Sequence, residues 1–390
     1  MIKEITANEK CFGCSACASI CPKEAIIMIE REKGFFYPEV KESCIECKLC
    51  IQTCPANSEA HLPKPLSVSA AKNKDTKTLN ESTSGGVFSL LARNILMIGG
   101  SVYGVAYDKN IVAKHIRITS MDGLNSLRGS KYVQSRIGDS FNQVHRDLQA
   151  GRQVLFSGTS CQCDGLIRFL KSKNADTSLL LTVAVVCHGV PSPRLFKDHI
   201  AFIERERNKK IANYKNREKI HGWHEHNECI YYSDGTKEWR TKITQNFKDL
   251  FYLNAILRES CYTCPYAEMP TVSDITIGDF WGIEYLYPKQ DDNNGMSLVF
   301  ANSDKGKKCI EETEINCRSF PITAEEALKY NHHSACKRPK CTDDLWNGYY
   351  KYGFGYIVQK YASYTAIGRA KWRIKQELRR ILVILGVKRG

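Results

Sequence analysis

Cys11-Phe12-Gly13-Cys14-Ser15-Ala16-Cys17-Ala18-Ser19-Ile20-Cys21-Pro22 is answered by Cys44-Ile45-Glu46-Cys47-Lys48-Leu49-Cys50-Ile51-Gln52-Thr53-Cys54-Pro55, so that one cysteine spacing is stated twice. Two-residue gaps let a short loop curl around one face of a 4Fe-4S cube and offer three thiolates to three irons, while the fourth ligand comes from elsewhere in the chain. In the two-cluster arrangement the cysteine before proline crosses to the other cube. The spacing therefore predicts one cube on Cys11, Cys14, Cys17 and Cys54, and a second on Cys44, Cys47, Cys50 and Cys21. Structural zinc wants its ligands in two pairs, and disulfides need no repeat of this kind, so the duplicated spacing argues against both.

The segment resembles bacterial two-cluster ferredoxins throughout its length. Its apolar stretch Ala25 to Ile29 and the run Phe35-Phe36-Tyr37 can keep water off the cubes, and water access is one lever on their potential. Electron carriage is the function this module implies. At 390 residues the chain is too long for such a module alone and has room for one large or two medium domains besides. No stretch approaches the roughly 18 apolar residues of a membrane span, and Met1 to Ile5 lack the apolar core of a secretory signal. Thiolates committed to iron require a reducing compartment, so the expectation is a cytoplasmic protein.

The formal net charge of +14 suggests nucleic acid at first sight, but its distribution argues against that partner. Residues 1–60 carry seven Lys/Arg against nine Glu, whereas residues 369–390 carry eight Lys/Arg against Glu377 alone. Half of the excess is thus one tail, with no nucleic-acid motif beside it. Ile374, Leu378, Ile381, Leu382 and Leu385 follow helical spacing there, with basic residues covering the other faces. Such a helix can pack on its own domain, dock on an acidic partner, or lie on anionic lipid at the inner membrane surface.

Pro55, Pro63 and Pro65 mark a connector that ends the ferredoxin module near residue 62. Ser82-Thr83-Ser84-Gly85-Gly86 then opens an apolar-periodic helix from Val87 to Ile98, a start that reads either as a simple cap or as a cradle for phosphate. Ser101 to Tyr107 and Ile111 to Ile118 look like a hairpin. No G-x-G-x-x-G follows any strand, so a nicotinamide dinucleotide site of the Rossmann kind is not supported. Val154-Leu155-Phe156 leads into Gly158-Thr159-Ser160-Cys161, and Leu179 to Val186 leads into Cys187-His188-Gly189 with a helix opening at Ser192-Pro193. Strand, turn and helix twice over imply a parallel pair with Cys161 and Cys187 just beyond the carboxyl ends, where open α/β sheets place their chemistry. Cys261-Tyr262-Thr263-Cys264 supplies two more thiols before Asp274 to Gly282. Spacing alone leaves these four thiols open between a metal site and buried core residues.

Ser84-Gly85-Gly86, Gly129-Ser130-Lys131-Tyr132-Val133, Gly158 to Gln162, Cys187-His188-Gly189, Cys261-x-x-Cys264 and Asp274 to Gly282 occur in an order and spacing similar to the coenzyme F420 hydrogenase/dehydrogenase beta-subunit family. The resemblance covers roughly residues 66–330. It implies an FAD and a third 4Fe-4S cluster on Cys161, Cys187, Cys261 and Cys264, with Cys163 a core thiol. It also implies flavin contacts at Ser84, Gly85, Gly86, Gly129, Ser130, Lys131, Tyr132 and Asp279, with Trp281 near them. Lys131 is a candidate catalytic residue, because an ammonium near the flavin N1 edge would stabilise the reduced ring; an ordinary surface lysine is the other reading. Tyr132 stacks on the ring or fills the core. His188 is the second catalytic candidate, as donor to a cluster sulfur or proton relay, against a role in holding its turn. His221, His224 and His226 do not match the i, i+4 zinc helix and are read as an exposed loop.

The expected architecture is an α+β ferredoxin module followed by an α/β flavin- and cluster-binding domain: residues 1–62, then 66–150 and 151–345 as the two parts of the second domain, and 346–390 as a basic helical tail. A hydride moves two electrons and a cube passes one, and flavin converts between them. The resemblance therefore implies a ferredoxin-linked, FAD-dependent oxidoreductase acting on coenzyme F420 or another organic substrate. Its partners would be an external ferredoxin or other redox protein and a small-molecule hydride donor or acceptor. Family members with an N-terminal ferredoxin include some that accompany polysaccharide assembly genes, and the alternative is an electron-transfer subunit serving a partner enzyme.

Overall fold

The computed structural model describes residues 10–57, 59–60, 62–268, 272–331 and 334–362. The strongly basic stretch expected to form an amphipathic helix lies outside the described residues.

The two cysteine repeats fold alike. Ser15 and Lys48, each following the second cysteine of its repeat, both adopt φ 62°, and each opens a short helix, Ala16–Ile20 and Leu49–Gln52. A left-handed turn costs an ordinary residue roughly 1–2 kcal/mol, and here it bends each loop so that consecutive thiols face one side. Between the repeats, β1 (Ile26–Glu30) and β2 (Phe36–Val40) pair antiparallel. Ile26, Phe35 and Tyr37 pack with Cys11, Cys17 and Cys54 in one buried cluster, the apolar wrap that the sequence suggests.

The remaining strands build one eight-stranded sheet and one three-stranded sheet. The large sheet contains β3 (Ser67–Asn73), β4 (Ser101–Tyr107), β5 (Ala113–Ile118), β6 (Val154–Thr159), β7 (Leu180–Val185), β11 (Ile275–Asp279), β12 (Ser297–Ala301) and β13 (Cys317–Pro321), in the order β13-β3-β12-β11-β7-β6-β4-β5. β4, β6, β7 and β11 run parallel at its centre, and antiparallel strands flank them on both sides. The near-continuous apolar runs of β6 and β7 follow from their burial on both faces. Strands from both sides of residue 150 alternate within this sheet, so it is one folding unit.

The small sheet holds β8 (Ile211–Glu218), β9 (Asn227–Tyr232) and β10 (Lys237–Trp239), order β10-β9-β8. It shares a core with the helices Pro193–Arg207, Lys242–Tyr252, Thr342–Tyr352 and Phe354–Tyr361. Trp346, Phe354, Ile357 and Val358 are buried there, so the chain from 346 to 362, expected as the start of a tail, belongs to the core. Among the described residues no helix is long and apolar enough to cross a membrane.

The ferredoxin module packs against the large domain through shared core. Cys14, Ala16 and Ile20 join Leu166, Phe169 and Leu170 of the helix Ser160–Ser172 in one buried cluster. The side chain of Arg258, fully buried, donates from Nε to the Cys11 carbonyl at 2.6 Å and from its two terminal nitrogens to Gln134 Oε1 and the Phe36 carbonyl, each at 3.0 Å. Its guanidinium also lies over the Tyr37 ring at 4.1 Å. Ser260 Oγ donates to the same Cys11 carbonyl at 3.0 Å, and Lys33 pairs with Glu259 at 2.6 Å.

Candidate electron-transfer centre

The thiols of the ferredoxin module sort into two neighbour sets. Burial pushes the Cys14 thiol well up, and Cys54, Cys17 and Cys11 add to the shift; burial likewise raises Cys17, with Cys11 and Cys54 as its nearest charges and Cys50 behind them. Cys50 is raised by burial and then by Cys47, Cys44 and Cys21. Each set contains three thiols of one repeat and the pre-proline thiol of the other, with Cys50 also reaching Cys17. Buried thiols held this close resist ionisation unless a cation compensates them, and coordinating iron does so. Backbone N–H groups of Gly13 and Ala25 donate to the sulfurs of Cys11 and Cys21, each at 3.3 Å. Hydrogen bonds of this kind tune a cluster's potential.

A third set of thiols lies at the carboxyl ends of β6 and β7. Thr159 caps the helix that Ser160 and Cys161 open, in a reciprocal box with Gln162, and its Oγ1 lies 3.2 Å from Cys161 Sγ. Cys187 follows β7, and Cys261 and Cys264 come from the short turn Glu259–Thr263 and its end. Gly189, at φ 127°, lets the Cys187 turn press against that segment: a Cβ there would lie 2.9 Å from Leu257 Cδ1 and 3.3 Å from Cys261 Cβ. Burial drives the Cys187 thiol far up, and Cys261, Cys161 and Cys264 reinforce it; burial takes Cys161 to about 11 and Cys264 to about 12. Among the described residues no three cysteine sulfurs lie within 4.8 Å of one another. Gly189 N and Val190 N donate to Cys187 and Cys261 at 3.4 and 3.5 Å. Cys163 points the other way, fully buried in the core beneath the helix.

One helix joins the first and third thiol sets. Cys161 stands in its first turn, and Gly165, about 6 Å further along the axis, meets Cys14: a Cβ on Gly165 would lie 2.9 Å from Cys14 Sγ. Gly165→Ala should favour the isolated helix by up to about 1 kcal/mol, yet we expect it to displace Cys14. The iron content and cluster EPR spectrum of the purified variant check this, with selective loss of the cube nearest Cys14 as the expected outcome.

Of the residues expected to meet a flavin, Ser84, Gly85 and Asp279 meet around β11 and β12, Gly129 and Ser130 lie near Thr83, and Tyr132 packs on the same apolar cluster as Cys261. Asp279 ends β11, where it pairs in register with Ser297, whose Oγ accepts from Gly85 N at 2.9 Å. Ser84 Oγ donates to the Met296 carbonyl at 2.9 Å. The glycine at 85 is explained by its own chain, since a Cβ would lie 2.3 Å from the Ala71 carbonyl oxygen. Gly86 takes φ 80° as the residue before the helix Val87–Met97, and no side chain caps that helix. Gly129, at φ 79°, has only Thr83 Oγ1 near its missing Cβ, and Ser130 N donates to that hydroxyl at 3.2 Å. Tyr132 packs on His226 and Phe251, and it neighbours Cys261 in a small apolar cluster. Burial raises its phenol, while Arg217 lowers it and Asp279 raises it further. Lys131 is half-buried. Burial pulls it down to about 7, and Nζ donates to the carbonyls of Arg128 and Ser126 at 2.7 and 2.9 Å.

Arg217 is the residue that sequence reasoning missed. Its side chain is 1% exposed and bonds Asp279 Oδ2 at 2.6 Å and the Trp223 carbonyl at 2.6 Å. Its guanidinium lies 4.4 Å over Trp281, which stacks on Trp223 at 4.8 Å. Its Nε is buried without a hydrogen-bond partner. A register shift between Lys215 and Glu218 turns both Asn216 and Arg217 inward, and nothing in Asn-Arg-Glu-Lys announces it. The sequence reading of an exposed histidine loop is corrected at the same place. Trp223 is fully buried, and burial drives His226 well down between Tyr252 and the Asn216 carbonyl. His188 Nε2 donates to Asn254 Oδ1 at 2.5 Å, with Cys336 Sγ 3.4 Å from the same nitrogen. A stacked tryptophan pair, a buried cation and a donor without a partner among the described residues suit the polar edge of an anionic group such as a flavin.

Comparison with known proteins adds two family matches. Residues 151–319 match the family that describes the carboxyl-terminal part of the coenzyme F420 hydrogenase/dehydrogenase beta subunit, and residues 10–58 match the 4Fe-4S dicluster domain. No curated protein matches. Among solved structures, a chain of the F420-reducing [NiFe] hydrogenase complex from Methanosarcina barkeri, studied by xenon derivatization, is 16% identical, with 78% of this chain and 94% of that one covered and a TM-score of 0.47. The protein is therefore an iron-sulfur electron-transfer protein whose residues 10–58 match a 4Fe-4S dicluster domain and whose residues 151–319 are related to the carboxyl-terminal part of the coenzyme F420 hydrogenase/dehydrogenase beta subunit.

Proposed function

We propose that this chain is a ferredoxin-linked, FAD-dependent oxidoreductase with three 4Fe-4S cubes. The observation that carries the reading is the single helix that offers Cys161 to the third thiol set and Gly165 to Cys14 of the first. Cys44 and Cys47 are exposed, so the second cube is the one an external redox protein would reach. Electrons would pass from it through the first cube to the third, or in the reverse direction, with FAD beside Tyr132, Arg217 and Asp279. Bound FAD supplies the exchange between single electrons and hydride. The protein's own part is to hold and orient. Arg217 would offer a buried cation and an N–H without a partner among the described residues to an anionic edge, next to the stacked tryptophans, and Tyr132 packs on the same small apolar cluster as Cys261 of the third thiol set. The hydride partner is coenzyme F420 or another organic molecule, and the reducing cytoplasm is where such clusters persist.

Lys131 tunes the flavin in this reading. Lys131→Met removes a cation whose burial already costs it charge, so the variant is expected to hold FAD more weakly or to lower its potential. A redox titration of the flavin absorbance in the anaerobic protein measures both. Full occupancy at an unchanged potential would remove Lys131 from the site, and a wild-type protein that takes up no FAD would sink the proposed function itself.

A further inference from the structure

We propose that His224, Glu284 and Asp291 bind one divalent transition-metal ion of the Mn2+ or Zn2+ kind, separate from the iron-sulfur centres. The three side chains come from three segments: the loop between β8 and β9, the short helix Ile283–Leu286 after β11, and the loop before β12. One ligand atom from each lies within 4.8 Å of the other two. His224 Nε2 stands 2.7 Å from Asp291 Oδ2, while Asp291 Oδ1 is taken by the backbone N–H of Asn293 at 3.0 Å. The two loops are already tied, since Trp223 N donates to the Asn293 carbonyl at 2.7 Å and His224 N to Asn293 Oδ1 at 2.9 Å. The ligands are thus held by the fold.

Glu284 points to what is missing. Its Oε2 is buried and has no hydrogen-bond partner among the described residues. A carboxylate oxygen withdrawn from water beside a second carboxylate is costly unless a cation meets it. With the imidazole neutral, the trio carries two negative charges, which a divalent ion balances. One imidazole with two carboxylates is a donor set for Mn2+, Fe2+ or Zn2+ and is unlike the all-oxygen cages of Ca2+ and Mg2+. All three residues are half-buried, so an ion has a way in.

The ion would clip the tryptophan pair. Trp223 immediately precedes His224, and Trp281 lies three residues before Glu284; their rings stack, and Trp223 Nε1 donates to Asp279 at 2.9 Å. Binding at the trio therefore ties together the two segments that present the tryptophan pair.

The test uses the full chain with its clusters intact, freed of adventitious metal by chelator and titrated anaerobically with Mn2+, which has little affinity for thiolate. The expected result is one tightly held Mn2+ per chain, with pulsed EPR showing hyperfine coupling to a single imidazole nitrogen. Glu284→Gln and Asp291→Asn should each weaken binding at least about tenfold, since even outer partners of a metal site cost that much, with iron content unchanged. Absence of saturable Mn2+ binding would reduce the trio to an ion pair with a spare carboxylate and overturn the proposal. Bound Mn2+ without nitrogen coupling would overturn it as well, and this reading of the wild-type protein stands even if a variant fails to fold.

Discussion

Cys261→Ser protein is expected to lose about four irons per chain, the content of one cube, and to stop passing electrons between flavin and the ferredoxin module. Reduction of the flavin by a hydride donor should survive, because Cys261 is proposed as a ligand of the third cube and not as a flavin contact. Serine keeps the volume and the Val190 N–H contact but is a poor ligand for iron. Cys163→Ala is the matched control: that thiol is two residues from Cys161 and fully buried in the core, so the variant should be less stable while its iron content is unchanged. Iron analysis with rapid-mixing absorbance of flavin and clusters reads both variants. Equal loss of flavin reduction and cluster reduction in Cys261→Ser would point to misfolding, and unchanged iron would remove Cys261 from the ligand set.

The second large effect is at Arg258. Arg258→Met strands the carbonyls of Cys11 and Phe36 and the Gln134 amide oxygen, and losing one partner of a buried charged network costs about 3–5 kcal/mol. The loss falls on the seam between the ferredoxin module and the large domain, so the module should loosen first. Arg258→Lys should recover only part of it, because one ammonium cannot reach three acceptors spread around a planar fork. Removing a buried cation beside the first cube should also lower that cube's potential, since positive charge favours the reduced state. Limited proteolysis near residue 62 and an EPR-monitored titration are the readouts. Wild-type protease resistance would show that the seam is held by the shared apolar core alone.

Local chemistry made part of this architecture legible. The repeated Cys-x2-Cys-x2-Cys-x3-Cys-Pro spacing carries its own geometry, and the two apolar runs ending in Gly-Thr-Ser-Cys and Cys-His-Gly fixed β6 and β7 as a buried parallel pair. The hairpin of β4 and β5 was readable from two runs a few residues apart. Other features depend on contacts that no local pattern encodes. Arg258 reads as a surface arginine until the ferredoxin module covers it. Gly165 reads as a weak point in a helix until Cys14 is found against it. Arg217 is hidden by a bulge that reverses strand alternation, and residues 346–362 looked like the start of a basic tail because their apolar face meets strands and helices far away in sequence. Expectations resting on polarity alone failed where a long-range partner buried the polar group.

The central claim is that a third cube on Cys161, Cys187, Cys261 and Cys264 joins FAD to the two ferredoxin cubes. Iron, sulfide and flavin should be counted together on the full chain purified without oxygen. The account predicts about twelve irons and one FAD per chain; about eight irons, whether or not flavin is present, would contradict it.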